Sequence, residues 1–193
     1  VTPSDTEVLL HGWRPWGLAM LARLRGMFAF ALWDARDETL VLARDPLGKK
    51  PMYYAHLADG TLAFASELKA LLCHPGLDRT LDGQAVSDFF TYGYVPDPKT
   101  IYLAARKLPP AHYLIAQRGS PLRTGHYWNL LDTLGVDQRQ EDAAEALLER
   151  LTKAVGRRLI SDVPLGALLS GGVDSSAVVA LMAGFAPSHL DTF

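Results

Sequence analysis

The heptapeptide SGGVDSS, Ser170–Ser176, has the residue types of a loop that binds an anion. Gly171 and Gly172 tolerate positive φ angles and let an anion approach the backbone closely. One apolar run precedes the loop and another follows it, which predicts the order strand, loop, helix. The free N–H groups and the dipole at the start of such a helix attract phosphate, and the serines add hydroxyl donors. The segment is therefore a candidate phosphate site.

Two other phosphate-binding patterns are absent from the sequence. Neither G-x-x-x-x-G-K-[ST] nor G-x-G-x-x-G occurs, so a kinase-type loop and a dinucleotide fingerprint are not supported. A structural alternative stays open, in which the glycines only form a turn and the serines cap the helix. We favour phosphate binding over this alternative.

The elements on either side of the loop can also be predicted. Apolar residues at helical spacing between Ala143 and Leu159 predict a helix over about 141–159. The polar stretch Asn129–Gln140 lacks a clear period and is the candidate linker between two domains. We therefore expect domains at 1–130 and 131–193, with a new strand beginning near Asp191.

The first domain begins with a helix and continues as an antiparallel meander. Ser4 and Glu7 fit a capping box, and apolar spacing predicts a helix over 5–23 that is broken or kinked at Pro15. Further helices are expected over Ser66–Leu72 and Gly83–Tyr92. Short apolar runs between turn signals predict the strands Met27–Trp33, Leu40–Ala43, Met52–Ala55 and Leu62–Ala65, with more strands over Ile101–Trp128. The first run, MFAFALW, is apolar throughout, so both of its faces should be covered in a layered sandwich.

Composition narrows the classes of function. The net charge is -2, with no basic stripe, so nucleic acid is not an expected partner. No run of about 18 apolar residues suggests a membrane span. A single cysteine cannot form an internal disulfide, and no signal peptide is evident, so a cytoplasmic location is expected.

The loop resembles a known family when its surroundings are included. SGGVDSS resembles the pyrophosphate loop of the N-type ATP pyrophosphatases, and SDVPLGALLSGGVDSS is similar to the asparagine synthetase family in particular. SDTEVLL, RLRGMFAFALWD, LVLARDPLGKKPMYY and LAFASELKALL resemble successive pieces of that family's glutaminase domain. The resemblance implies an incomplete layered sandwich of the N-terminal-nucleophile hydrolase type, followed by the start of a parallel-sheet α/β ATP pyrophosphatase domain.

The resemblance also implies roles for individual residues. Asp174 would cap the loop or help to hold Mg²⁺. Asp5 matches the carboxylate that binds the α-amino group of glutamine, although a carboxylate in the first turn of a helix is favoured by the dipole in any case. The residues implied to bind ATP and its pyrophosphate are Leu169, Ser170, Gly171, Gly172, Asp174, Ser175 and Ser176.

The family's glutaminase nucleophile is an N-terminal cysteine, and no residue here matches it. Cys73 is expected to be a small, semi-buried core residue instead. Because the chain opens on Val1 and stops at Phe193, we interpret it as a fragment that is inactive alone.

The activity implied is the amidation of aspartate, with glutamine as nitrogen donor and β-aspartyl-AMP as intermediate. Glutamine, aspartate, ATP and Mg²⁺ are the implied ligands, and a homodimer is compatible with the full-length enzyme. One alternative is a paralogous ligase that adenylates another carboxylate, such as a β-lactam synthetase-like cyclase or an amidotransferase of a peptide or polysaccharide precursor. A second is a non-catalytic binding or storage protein with the same fold.

The remaining polar residues are expected to be structural. Arg44 and Asp45 are interpreted as an ion pair that fixes a turn, and Glu67 as a structural residue. The histidines have no spacing suited to zinc and are expected to serve surface or packing roles; they are His11, His56, His74, His112, His126 and His189. The aromatic residues near 89–94 and 127–128 should pack in the core or at a domain interface.

Overall fold

A computed structural model describes residues 4–133, 140–185 and 190–193, and side chains over the same ranges except 133 and 140–142. The chain divides into two compact units, Val1–Leu134 and Gly135–Phe193. Residues 134–139 of the proposed linker lie outside the described residues, so the division at residue 130 stays a prediction. Among the described helices, none is long and apolar enough to cross a membrane.

Unit 1 begins with helix α1, Asp5–Trp16, which continues as a 3-10 helix over Gly17–Arg23. The Ser4 hydroxyl accepts a hydrogen bond from the Thr6 N–H, as an N-cap does. Pro15 lies inside α1, and the helix ends at Trp16 because the next residue, Gly17, has a φ angle of +50° that residues with a Cβ seldom adopt. The expected helix is confirmed, whereas its break lies at Gly17 and not at Pro15.

Two antiparallel sheets make up the body of unit 1. The first has the strand order β1-β2-β6-β7 and the second β4-β3-β5. The strands are β1 Ala29–Asp34, β2 Thr39–Arg44, β3 Tyr53–His56, β4 Leu62–Ala65, β5 Arg106–Lys107, β6 His112–Gln117 and β7 Arg123–His126. The four predicted strands are present, but the expected meander is wrong. Strands β1 and β2 pair in the first sheet and β3 and β4 in the second, because β2 pairs with β6 instead of β3.

The sheets pack face to face around an apolar cluster. Leu42 and Leu114 of the first sheet are fully buried, and Tyr54 and Leu62 of the second pack against the same cluster. Side chains from two inner faces form the core of a sandwich in this way. The predicted layered arrangement is therefore present.

The expectation for β1 is wrong in one respect. Leu32 and Asp34 are buried, whereas Ala31 and Trp33 are exposed, so only one face of this strand is covered. The strand lies at the edge of its sheet, where its side chains alternate between the packed face and solvent.

Two helices lie between β4 and β5, which are both strands of the second sheet. Helix α3, Gly83–Tyr92, has the predicted bounds, and the Asp82 carboxylate caps it by accepting from two backbone N–H groups. Helix α2 is shorter than expected, Leu68–Leu71, and its N-cap is Glu67 instead of Ser66. The backbone of Glu67 is extended, so the helix cannot begin earlier.

Unit 2 is a helix followed by a parallel strand pair with a helical crossover. Helix α4 spans Gln140–Gly156, β8 Gly166–Ala167, α5 Val173–Phe185 and β9 Asp191–Thr192. Strands β8 and β9 pair in parallel, which confirms the α/β arrangement and the strand predicted near Asp191. Helix α5 is apolar on all sides, yet none of its residues is buried within this chain. A helix of this composition is normally covered by neighbouring structure.

Candidate functional site: the loop between β8 and α5

The candidate phosphate loop begins at the carboxyl end of β8. The Phe193 N–H donates to the Ala167 carbonyl, 3.0 Å away, and the Leu169 N–H donates to the Phe193 carbonyl at 2.8 Å. These bonds continue the parallel ladder up to Leu169 and hold the first residue of the predicted ATP site in place. Ligands of open α/β sheets bind at this end of the strands.

The backbone of the loop turns at Gly171, whose φ angle is +81°. Residues with a Cβ seldom adopt this angle, so the turn depends on glycine. A Cβ added there would meet no atom within 4 Å, so the requirement is conformational and not steric. The glycine predicted from the motif therefore has a specific conformational role.

Hydroxyl groups tie the two ends of the loop together. Ser170 Oγ lies 3.1 Å from Ser175 Oγ, and the Ser175 hydroxyl donates to the Gly172 carbonyl at 3.1 Å. Both serines thus stand beside the glycine turn, as the phosphate hypothesis requires. The same hydrogen bonds are expected if the loop is only a structural turn, since a serine in this position stabilises the helix start.

Backbone donors collect at the start of α5. The first turn of a helix leaves its N–H groups without partners inside the helix, and the ladder of α5 begins when the Ser176 N–H donates to the Gly172 carbonyl at 3.0 Å. The groups before it, on Val173, Asp174 and Ser175, therefore point out of the helix start. Together with the positive end of the dipole they suit an anionic oxygen.

Asp174 is an exposed carboxylate in this first turn. The helix dipole stabilises its charge, but the carboxylate would repel a phosphate bound at the same helix start. A divalent cation between the two anions would remove this repulsion. The donor set thus fits a nucleotide phosphate carried with Mg²⁺, which is commonly held by one or two carboxylates together with phosphate oxygens.

Asp5, the predicted glutamine contact, lies in unit 1. It is exposed at the first position of α1 and lines a cleft of about 220 Å³ together with Arg25, Gly26 and Met27. A carboxylate and a guanidinium in one cleft suit a ligand with both an ammonium and a carboxylate group. The sequence did not reveal Arg25 as a neighbour, because a turn after the 3-10 helix brings it to the start of α1.

The expected ion pair between Arg44 and Asp45 is wrong. Arg44 pairs with Asp97 instead, at 2.8 Å, and its guanidinium also donates to the carbonyls of Gly48, Lys50 and Leu108. Neighbouring residues on a strand point to opposite faces, which keeps the two side chains apart.

Asp45 fixes the turn without Arg44. Its carboxylate is buried and accepts from the backbone N–H groups of Leu47, Lys49 and Lys50, at 3.1, 3.0 and 2.9 Å. Its structural role, expected from the sequence, is confirmed, although the partner differs.

Other sequence-based interpretations have mixed outcomes. Cys73 is exposed, so its description as a semi-buried core residue is wrong; it lies just after the short helix α2 and not on its packed face. Glu67 pairs with Lys69 at 2.6 Å on the surface, and its expected structural role stays a prediction. Within the described residues no group of three or more His, Cys, Asp or Glu side chains could hold a metal ion, and His189 lies outside them.

The fold and the loop define a two-part protein, an antiparallel sandwich followed by an α/β unit with a candidate phosphate loop. The sequence model of the glutamine amidotransferase domain matches residues 1–128, so the chain belongs to that family. The model of asparagine synthase matches residues 146–193, which contain the whole candidate loop.

Individual relatives agree with this assignment. The chain is 39% identical over 182 residues to "Asparagine synthetase [glutamine-hydrolyzing] 3" of Bacillus subtilis, covering 94% of this chain and 29% of that protein. It is 36% identical over 191 residues to "Amidase chyE" of Penicillium rubens, covering 95% and 27%. The chain therefore spans less than a third of the length of these relatives.

A solved structure titled as the allosteric regulatory enzyme of purine biosynthesis also aligns with the chain. The match has 19% sequence identity, a TM-score of 0.42, and covers 98% of this chain and 38% of the other.

Proposed function

We propose that this chain is part of a glutamine-dependent asparagine synthetase. In the proposed reaction ATP and aspartate form β-aspartyl-AMP and pyrophosphate, and ammonia derived from glutamine then displaces AMP to give asparagine. The observation that carries the proposal is the loop Ser170–Ser176, which joins a parallel strand to a helix inside the segment that matches asparagine synthase.

The loop suits the first half of this reaction. A carboxylate is unreactive toward ammonia, whereas its mixed anhydride with AMP carries a good leaving group. When the aspartate oxygen attacks the α-phosphorus of ATP, the bond to the β-phosphate oxygen breaks and negative charge moves to pyrophosphate. Fixed N–H groups and hydroxyls that face this charge stabilise its departure. The N–H groups of Val173, Asp174 and Ser175 are of this kind.

Asp174 would hold Mg²⁺ in the proposed complex. The carboxylate is exposed beside the unpartnered N–H groups of the helix start, so a cation can bridge it to phosphate oxygens. When bound, the cation would neutralise charge on the phosphates. Ser170 and Ser175 would contact the same phosphates through their hydroxyls, while Gly171 keeps the turn open.

Unit 1 would supply ammonia by hydrolysing glutamine. Asp5 would bind the α-amino group, which fits its exposed position in a cleft that Arg25 also lines. The cysteine nucleophile of the family has no counterpart among these residues, so we expect no glutaminase activity from residues 1–193 by themselves. Glutamine hydrolysis is a property proposed for the longer protein.

A second candidate function is the amidation of a different carboxylate. Relatives of similar identity to the chain, 36% and 39%, carry different names, an amidase and an asparagine synthetase, so identity does not by itself fix the carboxylate. The loop chemistry is the same in both cases, because each begins with a carboxyl adenylate. The identity of the carboxylate separates the two functions.

The test replaces Asp174 in the complete reading frame that contains this chain. Asp174→Ala should abolish aspartate-dependent release of pyrophosphate and leave glutamine hydrolysis nearly unchanged, because Asp174 lies in unit 2 whereas the proposed glutamine cleft lies in unit 1. Asp37→Ala is the matched control, because Asp37 is an exposed carboxylate in the turn between β1 and β2. It should retain both activities.

Two results would count against the proposal. Pyrophosphate release that survives Asp174→Ala at the wild-type rate would remove the loop from the reaction. Release that depends on another carboxylate and not on aspartate would support the second candidate function instead.

A further inference from the structure

Two histidines lie directly opposite each other on the paired strands β6 and β7, one at the start of β6 and the other at the end of β7. His112 pairs with His126 in the antiparallel register. The neighbouring pair, Ala111 and Tyr127, is hydrogen-bonded through the Tyr127 N–H and the Ala111 carbonyl at 2.9 Å. Because the two kinds of pair alternate, the histidine pair is a non-hydrogen-bonded one, in which side chains approach most closely.

The two imidazole rings are separated by a distance that suits a shared metal ion. Their centroids lie 6.1 Å apart, with an angle of 50° between the ring planes. An ion bound at about 2.1 Å by one nitrogen of each ring holds the centroids about 5–6 Å apart. A small rotation of the exposed His126 side chain therefore brings both rings within binding distance.

The tautomer of His112 also suits metal binding. Its Nδ1 lies 2.7 Å from the Pro110 carbonyl oxygen, so in the neutral ring the Nδ1–H donates and Nε2 keeps its lone pair. Metal-binding histidines commonly donate their second ring N–H to a carbonyl in this way, which fixes the tautomer and the orientation of the ring.

The residues that line the cleft around the two histidines indicate which kind of ion would bind. Both histidines line an open cleft of about 330 Å³, and the other residues that line it are uncharged; these are Pro46, Pro110, Ala111, Trp128, Asn129 and Leu130. No lysine or arginine among them opposes a cation, and no carboxylate favours Mg²⁺ or Ca²⁺. Imidazole ligands suit Zn²⁺, Ni²⁺ and Cu²⁺.

We propose that His112 and His126 form a two-histidine site for a divalent transition-metal ion of the zinc, nickel and copper class, with water in the remaining coordination positions. The ion would link β6 to β7 beside Trp128 and Asn129, where the strands of unit 1 end. The site lies in unit 1 and does not depend on the function proposed for the loop of unit 2.

The test is a titration of the tag-free chain with ZnCl₂ and NiCl₂ by calorimetry. The wild-type chain should bind one ion, and His126→Gln and His112→Gln should each weaken binding by about tenfold or more, because each removes a ligand. The matched controls are His56→Gln, an exposed histidine on β3, and Cys73→Ser, which removes the exposed thiol. Both controls should bind within about twofold of wild type.

A second readout locates the ion without mutation. In ¹H–¹⁵N spectra of the wild-type chain, Zn²⁺ should shift the backbone signals of residues 111–114 and 124–128. Because these spectra use only the wild-type chain, they test the proposed metal site even if a histidine variant does not fold. The proposal is overturned by shifts centred elsewhere, by variants that bind like wild type, or by no saturable binding below about 1 mM.

Discussion

Replacing Gly171 by alanine should weaken nucleotide binding, because the loop turns at this residue with φ of +81°. A Cβ meets no atom within 4 Å there, so the substitution adds only conformational cost. That cost is about 1–2 kcal/mol for an L-residue in the left-handed region. If the nucleotide requires this turn, its dissociation constant should rise by about five- to thirtyfold.

Gly184→Ala is the matched control for this prediction. Gly184 lies near the end of α5, its added Cβ also meets no atom within 4 Å, and its φ is not positive. Alanine is favoured over glycine in a helix by up to about 1 kcal/mol, so this variant should fold as well as wild type or better. Nucleotide binding should not change.

The assay is a calorimetric titration of MgATP and of pyrophosphate into the complete reading frame that contains this chain. Both variants replace a glycine of unit 2 by alanine, and the two sites differ in that only Gly171 has a positive φ angle. Equal affinities for Gly171→Ala and Gly184→Ala would refute the conclusion that the positive φ angle builds the site.

Three further predictions concern unit 1, and tryptophan fluorescence can follow its unfolding because Trp13, Trp16, Trp33 and Trp128 all lie there. Asp45→Asn should lower the free energy of unfolding by about 2 kcal/mol, because one carboxylate oxygen that accepts from backbone N–H groups becomes an NH₂ group that faces an N–H. The exposed Asp37→Asn is the control. Equal urea midpoints for the two variants would contradict this prediction. The hydrogen bonds from Arg36 and Trp13 lower the pKa of Asp34 below its ordinary value of 3.8. The unfolded state therefore binds the proton first as the pH falls below about 5, so stability should decline there, and Asp34→Asn should flatten that decline. Gly125→Ala should destabilise unit 1 by about 1–2 kcal/mol, because its Cβ would lie 2.4 Å from the Tyr113 hydroxyl oxygen. The double variant that also carries Tyr113→Leu should recover this stability, because the clashing hydroxyl is removed.

Local signals in the sequence were sufficient for most of the secondary structure, although α2 is shorter than they predicted. Alternating apolar runs between turn residues predicted the strands of both sheets, and the capping pattern at Ser4 predicted the start of α1. The loop Ser170–Ser176 could be predicted for the same reason, since strand, glycine turn and helix start follow one another along the chain. These features depend on neighbouring residues only.

Contacts between distant residues could not be predicted in this way. The partner of Arg44 is Asp97, 53 positions further along the chain, and adjacency in the sequence suggested Asp45 instead. The opposition of His112 and His126 depends on the register of two strands. The exposure of Trp33 and Cys73 depends on which faces the rest of the chain covers.

The account is tested most directly by incubating the protein of the complete reading frame with ATP, Mg²⁺, glutamine and aspartate. Mass spectrometry would follow AMP, pyrophosphate, glutamate and asparagine together. The account predicts asparagine and AMP in equal amounts, with glutamate formed from glutamine. Glutamate without AMP would contradict the role given to the loop, and AMP formed only with a carboxylate other than aspartate would contradict the proposed substrate.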